Sequence, residues 1–438
     1  MIVDHIRRNA RLFPEKTALL IGAERCSYSE LWKRIGQRAK ELQLTIRPGQ
    51  IVPRSARPEI DWWVDYFAIH LIGAVNAPLE KNLPQSAYTA VSNLLISQQT
   101  PEGSADILYT TGTTGQSKAV IQSHRAQCAN AENLISGQGF QSHLAFVVSG
   151  PLNHIGSLSK VHPTLMVGGT VIIVDGLRDL NAFLSALAYP DAPVATFLVP
   201  ASIRILLQVA HRQLQALSAH IDFIETGAAP ISQADMEALC RLLPQSRLYN
   251  TYASTETGII STYNFNGGAC IANCLGRPLP HSSFHIHADG RIVCSGDTLM
   301  SGYLSDPLRT AEVLSNGTVV TSDLGRIDSD GRLHLTGREN DTINVGGFKV
   351  APSEVENAAL SFPSVHDCIC IPVPHPITQN ALKLLVVTTG QPLDKEALTA
   401  HLHARLENYK VPERYEQVES IHRTYNGKLD RRHYAPST

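Results

Sequence analysis

From residue 145 to residue 242 the chain keeps switching hydrophobic period, and no other feature restricts its fold so sharply. Residues 145–149, 170–174, 195–199 and 221–225 are short apolar runs of the kind found in buried strands. Between and after them, residues 161–167, 180–188, 201–209 and 232–242 space their apolar side chains near the helical period. Strand and helix in alternation bury both faces of a sheet, which predicts an α/β core with largely parallel strands. Pro200 and Pro230 fall where helices are expected to begin, since a first-turn proline sacrifices no hydrogen bond.

The texture changes after about residue 276. Asp289-Gly290, Asn316-Gly317 and Asp330-Gly331 each separate short β-prone runs. Such dipeptides supply the positive φ that tight hairpins need, so a β-rich subdomain is expected here. A second change follows Gly337-Arg338. Residues 349–360 are expected to begin a helix, 368–372 and 384–388 to form strands, and 393–406 a second helix. The expectation is two domains, 1–339 and 340–438, of overall α/β class.

The 438 residues hold 37 basic and 39 acidic side chains, a formal charge of −2. That balance excludes a broadly basic nucleic-acid binder and an acidic disordered chain. No apolar run approaches the ~20 residues that span a bilayer. Residues 1–12 have arginines but no secretory h-region, so the cytoplasm is the expected compartment. The eight cysteines include no CxxC pair, and no HExxH occurs. Free thiols are therefore expected rather than a disulfide framework or structural zinc.

The stretch Ile107-Leu-Tyr-Thr-Thr-Gly-Thr-Thr-Gly-Gln-Ser-Lys118 carries the most chemistry. Gly112 and Gly115 let backbone N–H groups approach an anion, Thr110, Thr111, Thr113 and Thr114 add hydroxyl donors, and Lys118 adds charge. This suits a polyphosphate, although the spacing is not that of a Walker A loop. The bland alternative is a flexible Gly/Thr turn.

This loop resembles the phosphate-binding motif of the adenylate-forming superfamily, which includes acyl-CoA synthetases, peptide-synthetase adenylation domains and luciferases. Thr111 stands where that family usually has serine, Ser117 where it has proline and Ala119 where it has glycine. Further stretches resemble the family's motifs in its order. They are Gly227-Ala-Ala-Pro230, Asn250-Thr-Tyr-Ala-Ser-Thr-Glu256, Thr321-Ser-Asp323, Gly337-Arg338 with Asn344-Val-Gly-Gly-Phe-Lys-Val350, and Thr424-Tyr-Asn-Gly-Lys428. Gly73-Ala-Val-Asn-Ala-Pro-Leu79 is family-like too, but only 30 residues separate Pro78 from Tyr109. One α/β unit there is expected to be shortened or missing.

The resemblance implies a large N-terminal domain of mixed sheets and helices and a small, mobile α+β C-terminal domain that swings about a hinge at Asn340. It implies ATP-dependent activation of a carboxylic acid as an acyl-adenylate, then transfer to a thiol. CoA is the leading thiol; the alternative is a carrier protein, and a catalytically silent nucleotide binder is the third reading. By resemblance, the Thr110–Lys118 loop holds the β- and γ-phosphates. Thr255 meets the α-phosphate and Glu256 holds Mg²⁺, the null for Glu256 being a solvated loop carboxylate. Asp323 accepts the ribose hydroxyls, with Arg338 reinforcing. Gly227, Ala228 and Ala229 flank adenine, with Asn250 and Tyr252 in the adjoining motif; Tyr252 alone reads equally as core. Lys428 bridges the substrate carboxylate and the α-phosphate. His154, in Pro151-Leu-Asn-His-Ile-Gly156, is a wall of the acid pocket or a structural histidine. For CoA's 3′-phosphate, Lys349, Lys410 and Arg423 are candidates.

Overall fold

A computed structural model of the chain describes residues 1–110, 118–424 and 428–434. The period-switching segment forms the centre of the larger sheet. Thr170–Ile173, Ala145–Val148, Val194–Leu198, Ile221–Thr226 and Arg247–Ser254 lie side by side, all parallel. The helices Ile155–Val167, Leu180–Leu187, Pro200–Val209 and Gln233–Leu242 connect them. Phe140, Phe146, Phe223 and Tyr249 interlock in the core with ring centroids 5.4–5.9 Å apart. Pro200 occupies the first helical turn as expected. Pro230 does not start a helix: Ser232 caps the next one, its hydroxyl accepting from Asp235 N at 3.1 Å. A side-chain acceptor satisfies an orphan N–H, which proline cannot do, so the cap wins.

The same sheet continues into the turn-rich segment, where all three Gly-containing dipeptides join antiparallel neighbours. Asn316 and Gly317 both take positive φ (50° and 73°), the tight-hairpin geometry. A second sheet orders Gly302–Tyr303, Lys118–Ser123, Ser104–Thr110, Val75–Leu79 and Ile51–Ser55. In the stretch expected to be short, one helix, Gln85–Ile96, carries the chain from Val75–Leu79 to the parallel strand Ser104–Thr110.

Residues 343–434 have cores of their own, around Val350, Val355, Leu384 and Leu398 and around Ile369 and Leu385. Lys349 does not begin a helix. It pairs with Asn344 in the hairpin Ile343–Val345/Phe348–Val350, and the helix starts at Pro352. The strand Arg414–Gln417, absent from the sequence reading, pairs in parallel with Gln379–Thr388. All eight cysteines are free. No described helix is long and apolar enough to cross a membrane.

Candidate active site

The antiparallel pair Ser104–Thr110/Lys118–Ser123 ends in the Thr110↔Lys118 register, so the threonine-rich loop closes a hairpin. Thr111, Gly112, Thr113, Thr114 and Gly115 lie outside the described residues. Thr110 Oγ1 at the loop's edge is buried with no hydrogen-bond partner, an unmet donor facing the loop. Gly302–Tyr303 pairs with Lys118–Ser123, setting Tyr303 beside Lys118. The Lys118 ammonium stands 5.3 Å from the Tyr303 ring centroid. Burial pushes Lys118 below the ordinary lysine range, and the Glu256 carboxylate opposes that shift.

Glu256 projects from the tight turn between Arg247–Ser254 and Gly258–Asn264. Ser254 and Thr257 exchange hydrogen bonds across this turn, N to Oγ1 at 3.2 Å and N to Oγ at 3.0 Å. Gly258 closes it at φ 69°; a Cβ there would stand 2.3 Å from Asn130 Oδ1, so only glycine fits. The Glu256 carbonyl accepts from Met300 N at 2.9 Å, and its Oε1 accepts from Tyr303 Oη at 3.0 Å. Thr255 is buried, its carbonyl held by Gln122 Nε2 at 2.5 Å. Tyr303 and Gln122 escaped the sequence reading because neither belongs to a motif; strand pairing alone brings them in.

Asp323 and Arg338 face each other on adjacent strands. Arg338 Nε donates to Asp323 Oδ1 at 2.5 Å and Tyr252 Oη donates to Oδ2 at 2.9 Å. Each carboxylate oxygen thus has one donor and keeps capacity for another. Tyr252 is enclosed in a cluster with Ile260, Leu275, Ile292 and Leu333. Burial and the Asp323 charge push its phenol well above the ordinary range, so it remains a donor. Asn250 is also buried and holds the Cys274 carbonyl at 3.0 Å rather than facing this cluster. Gly227 packs against Thr251, where a Cβ would come within 2.9 Å of a carbonyl oxygen. Ala228 follows at φ 67°, and Ala229 is half-buried. An alanine in that region costs roughly 1–2 kcal/mol, so the surrounding fold must hold the turn in place.

Lys428 arrives from the end of the chain. Its carbonyl accepts from Thr424 N at 2.8 Å, and Arg423 bridges Leu429. Its ammonium lies among Arg338, Asp323 and Glu256. Burial and the Arg338 charge lower its pKa, while the two carboxylates oppose that fall. His154, just ahead of the helix Ile155–Val167, is brought down to about 4 by burial and by Lys428, so it is a neutral ring at neutral pH. Phe197 sits between this helix and Gly227: Cβ atoms added at Gly156 and Gly227 would lie 3.5 and 3.6 Å from its ring. One side of that ring faces Lys160, whose Nζ is 5.1 Å from the centroid and 2.7 Å from Glu225 Oε1. Of the CoA candidates, Lys410 is taken up by Glu354 and Glu407, each at 2.8 Å, and Arg423 by Asp367. Lys349 is exposed.

Lys118, Glu256, Asp323, Arg338 and Lys428, widely spaced in sequence, therefore converge into one cleft of alternating charge. Such an arrangement can hold a polyanion and neutralise charge developing on it. Among the described residues no group of three metal-binding side chains gathers.

The family model for AMP-binding enzymes matches residues 88–304, and that for the AMP-binding enzyme C-terminal domain matches 354–428. A feruloyl-CoA synthase from Amycolatopsis sp is 29% identical, with 96% of each chain covered. A 2-succinylbenzoate–CoA ligase from Staphylococcus epidermidis is 27% identical over 76% of this chain and 69% of its own. ATP-bound MatB from Rhodopseudomonas palustris has the same fold, with a TM-score of 0.84 at 23% identity and 98% of each chain covered. Taken with the converging cleft, these matches make the chain a member of the AMP-binding, adenylate-forming enzyme family and an AMP-forming acid–thiol ligase.

Proposed function

We propose that residues 1–339 bind ATP and a carboxylic acid, that residues 340–438 swing about Asn340 between two half-reactions, and that CoA is the thiol. In the first step a carboxylate oxygen attacks the α-phosphorus of ATP and pyrophosphate leaves. In the second a thiol attacks the acyl carbon and AMP leaves. The observation that carries this reading is the entry of Lys428 among Arg338, Asp323 and Glu256. Two anions must meet in the first step, and a compact ammonium between them neutralises charge as it builds.

In this reading Thr110, Thr111, Thr113, Thr114 and Lys118, with Gly112 and Gly115, hold the β- and γ-phosphates. Thr255 meets the α-phosphate. Asp323 takes the ribose hydroxyls on its remaining acceptor positions, with Arg338 and Tyr252 fixing its orientation. The enclosed ring of Tyr252 serves the ribose side through its hydroxyl, so adenine rests on the Gly227–Ala229 backbone. Asn250 acts at a distance by tying its strand to Cys274. His154 and Phe197 form a neutral wall for the acid. Glu256 suits Mg²⁺, which needs few protein carboxylates when phosphate and water complete its shell; when bound, Mg²⁺ would screen the phosphate charge. A cytoplasmic setting agrees with the eight free cysteines.

The test is carboxylate-dependent exchange of pyrophosphate into ATP, across ferulate, 2-succinylbenzoate and short- and long-chain aliphatic acids. CoA is then compared with a phosphopantetheinylated carrier protein as acceptor. Exchange with at least one acid and AMP release on adding CoA are expected. No exchange with any acid would overturn the reading, and turnover with the carrier alone would replace CoA as the thiol.

A further inference from the structure

Away from the cleft, one carboxylate joins the two parts of the chain. Arg204, on Pro200–Val209, donates Nη2 at 2.8 Å and Nε at 3.2 Å to Asp235 Oδ2, and Nη1 at 3.0 Å to Asp367 Oδ1. Asp235 belongs to the helix Gln233–Leu242, whereas Asp367 belongs to the strand Val365–His375 of the C-terminal part. Asp367 also accepts from Arg423 Nη2, at 2.9 Å on Oδ1 and 2.7 Å on Oδ2. Arg423 stands at the base of the segment that presents Lys428, bridging Leu429 beside the Thr424–Lys428 hydrogen bond.

The charges in this cluster are arranged so that it can separate. Arg204, Asp235 and Asp367 have side chains only 14%, 13% and 16% exposed, so each contact is worth more than a surface ion pair. Leaving one buried charge unpaired would be very costly. When the two parts move apart, however, Arg204 keeps Asp235 and Asp367 keeps Arg423. Each half leaves neutral, and only the Arg204–Asp367 contact is lost. Asp235 occupies one edge of the planar guanidinium fork and so aims Nη1 outward at Asp367. Nearby, Gln208 Nε2 meets His366 Nδ1 at 2.5 Å across the same cleft.

We propose that Arg204 and Asp367 are positioning residues that form an orientation-specific latch. The latch holds the C-terminal part where Lys428 enters the cleft, favours adenylation, and opens before the thiol step. This rests on the reading above, in which the two parts reorient between half-reactions. The latch acts through Lys428 and touches no substrate.

The test uses the full-length protein with Arg204→Gln, Arg204→Lys and Asp367→Asn; the last removes the contact from the other side should the first fail to fold. Pyrophosphate exchange reports adenylation, and CoA-dependent AMP release from a supplied acyl-adenylate reports thiolysis. The acid is the one of the same panel that supports the fastest wild-type exchange. Backbone hydrogen exchange over residues 418–434, with ATP and Mg²⁺ only, reports docking without any acid. Losing one charge-assisted hydrogen bond should lower the adenylation-to-thiolysis ratio about tenfold. Arg204→Lys should recover part of that loss, and exchange over 418–434 should quicken in Arg204→Gln and Asp367→Asn. An unchanged ratio, or equal loss of both half-reactions, overturns the latch. If no acid is activated at all, the parent reading fails instead, and hydrogen exchange alone decides whether the latch holds: unchanged exchange refutes it.

Discussion

Replacing Lys160 by methionine should destabilise the protein far more than its distance from the nucleotide motifs implies. Lys160 and Glu225 have side chains 2% and 1% exposed, and Nζ lies 2.7 Å from Oε1. Glu225 Oε2 is buried with no partner at all. Glu225 therefore depends on one ammonium for its charge compensation. Removing that ammonium strands a carboxylate in the core, at a cost of about 3–5 kcal/mol. Spread over an unfolding entropy of about 0.6 kcal/mol/K for some 300 cooperative residues, the loss lowers Tm by roughly 6 °C. Replacing both residues, as Lys160→Met with Glu225→Leu, removes both desolvation terms and should return stability to within about 1–2 kcal/mol of wild type. Urea and thermal unfolding of the two single variants and the double variant form a cycle that isolates the coupling. A loss below about 1 kcal/mol for Lys160→Met, or a double variant no better than its worse parent, would refute the reasoning. The consequence reaches the acid pocket, because Lys160 backs the Phe197 ring that separates the His154 helix from Gly227.

Lys428→Ala should cut pyrophosphate exchange by about a hundredfold or more while thiolysis of a supplied acyl-adenylate continues; equal loss of both would remove Lys428 from its role. Because burial and Arg338 depress Lys428, adenylation should lose activity on the alkaline side below the ordinary lysine value of 10.5. The protonated form is the active one, so raising pH removes it, and Arg338→Gln, by deleting a repelling charge, should move that limb upward; a downward shift in the pH profile contradicts the assignment. Tyr252→Phe deletes the 2.9 Å donor to Asp323 and should raise the KM for ATP about tenfold with little change in kcat. An unchanged KM would mean that Arg338 alone fixes the carboxylate.

Local chemistry made much of this protein readable in advance. The Gly-containing dipeptides force positive φ wherever they stand, and the parallel core announces itself in the period of its side chains. The nucleotide motifs are contiguous, so Lys118, Glu256, Asp323, Arg338 and Lys428 could be named from order alone. The sequence reading failed where two local preferences competed. Pro230 yielded to the Ser232 cap, and Lys349 was drawn into a hairpin before Pro352 began the helix.

The amino-acid sequence by itself determined the turns, the strand–helix rhythm and the set of groups available for phosphate chemistry, because each is fixed within a few residues of backbone. Only the tertiary structure decided which of those groups meet. Tyr303 reaches Glu256 through strand pairing, Lys160 finds Glu225 65 positions away, and Asp367 joins Arg204 to Arg423 across 163 and 56 positions. Such pairings depend on burial and on the register of distant elements, and one-dimensional spacing carries no trace of either.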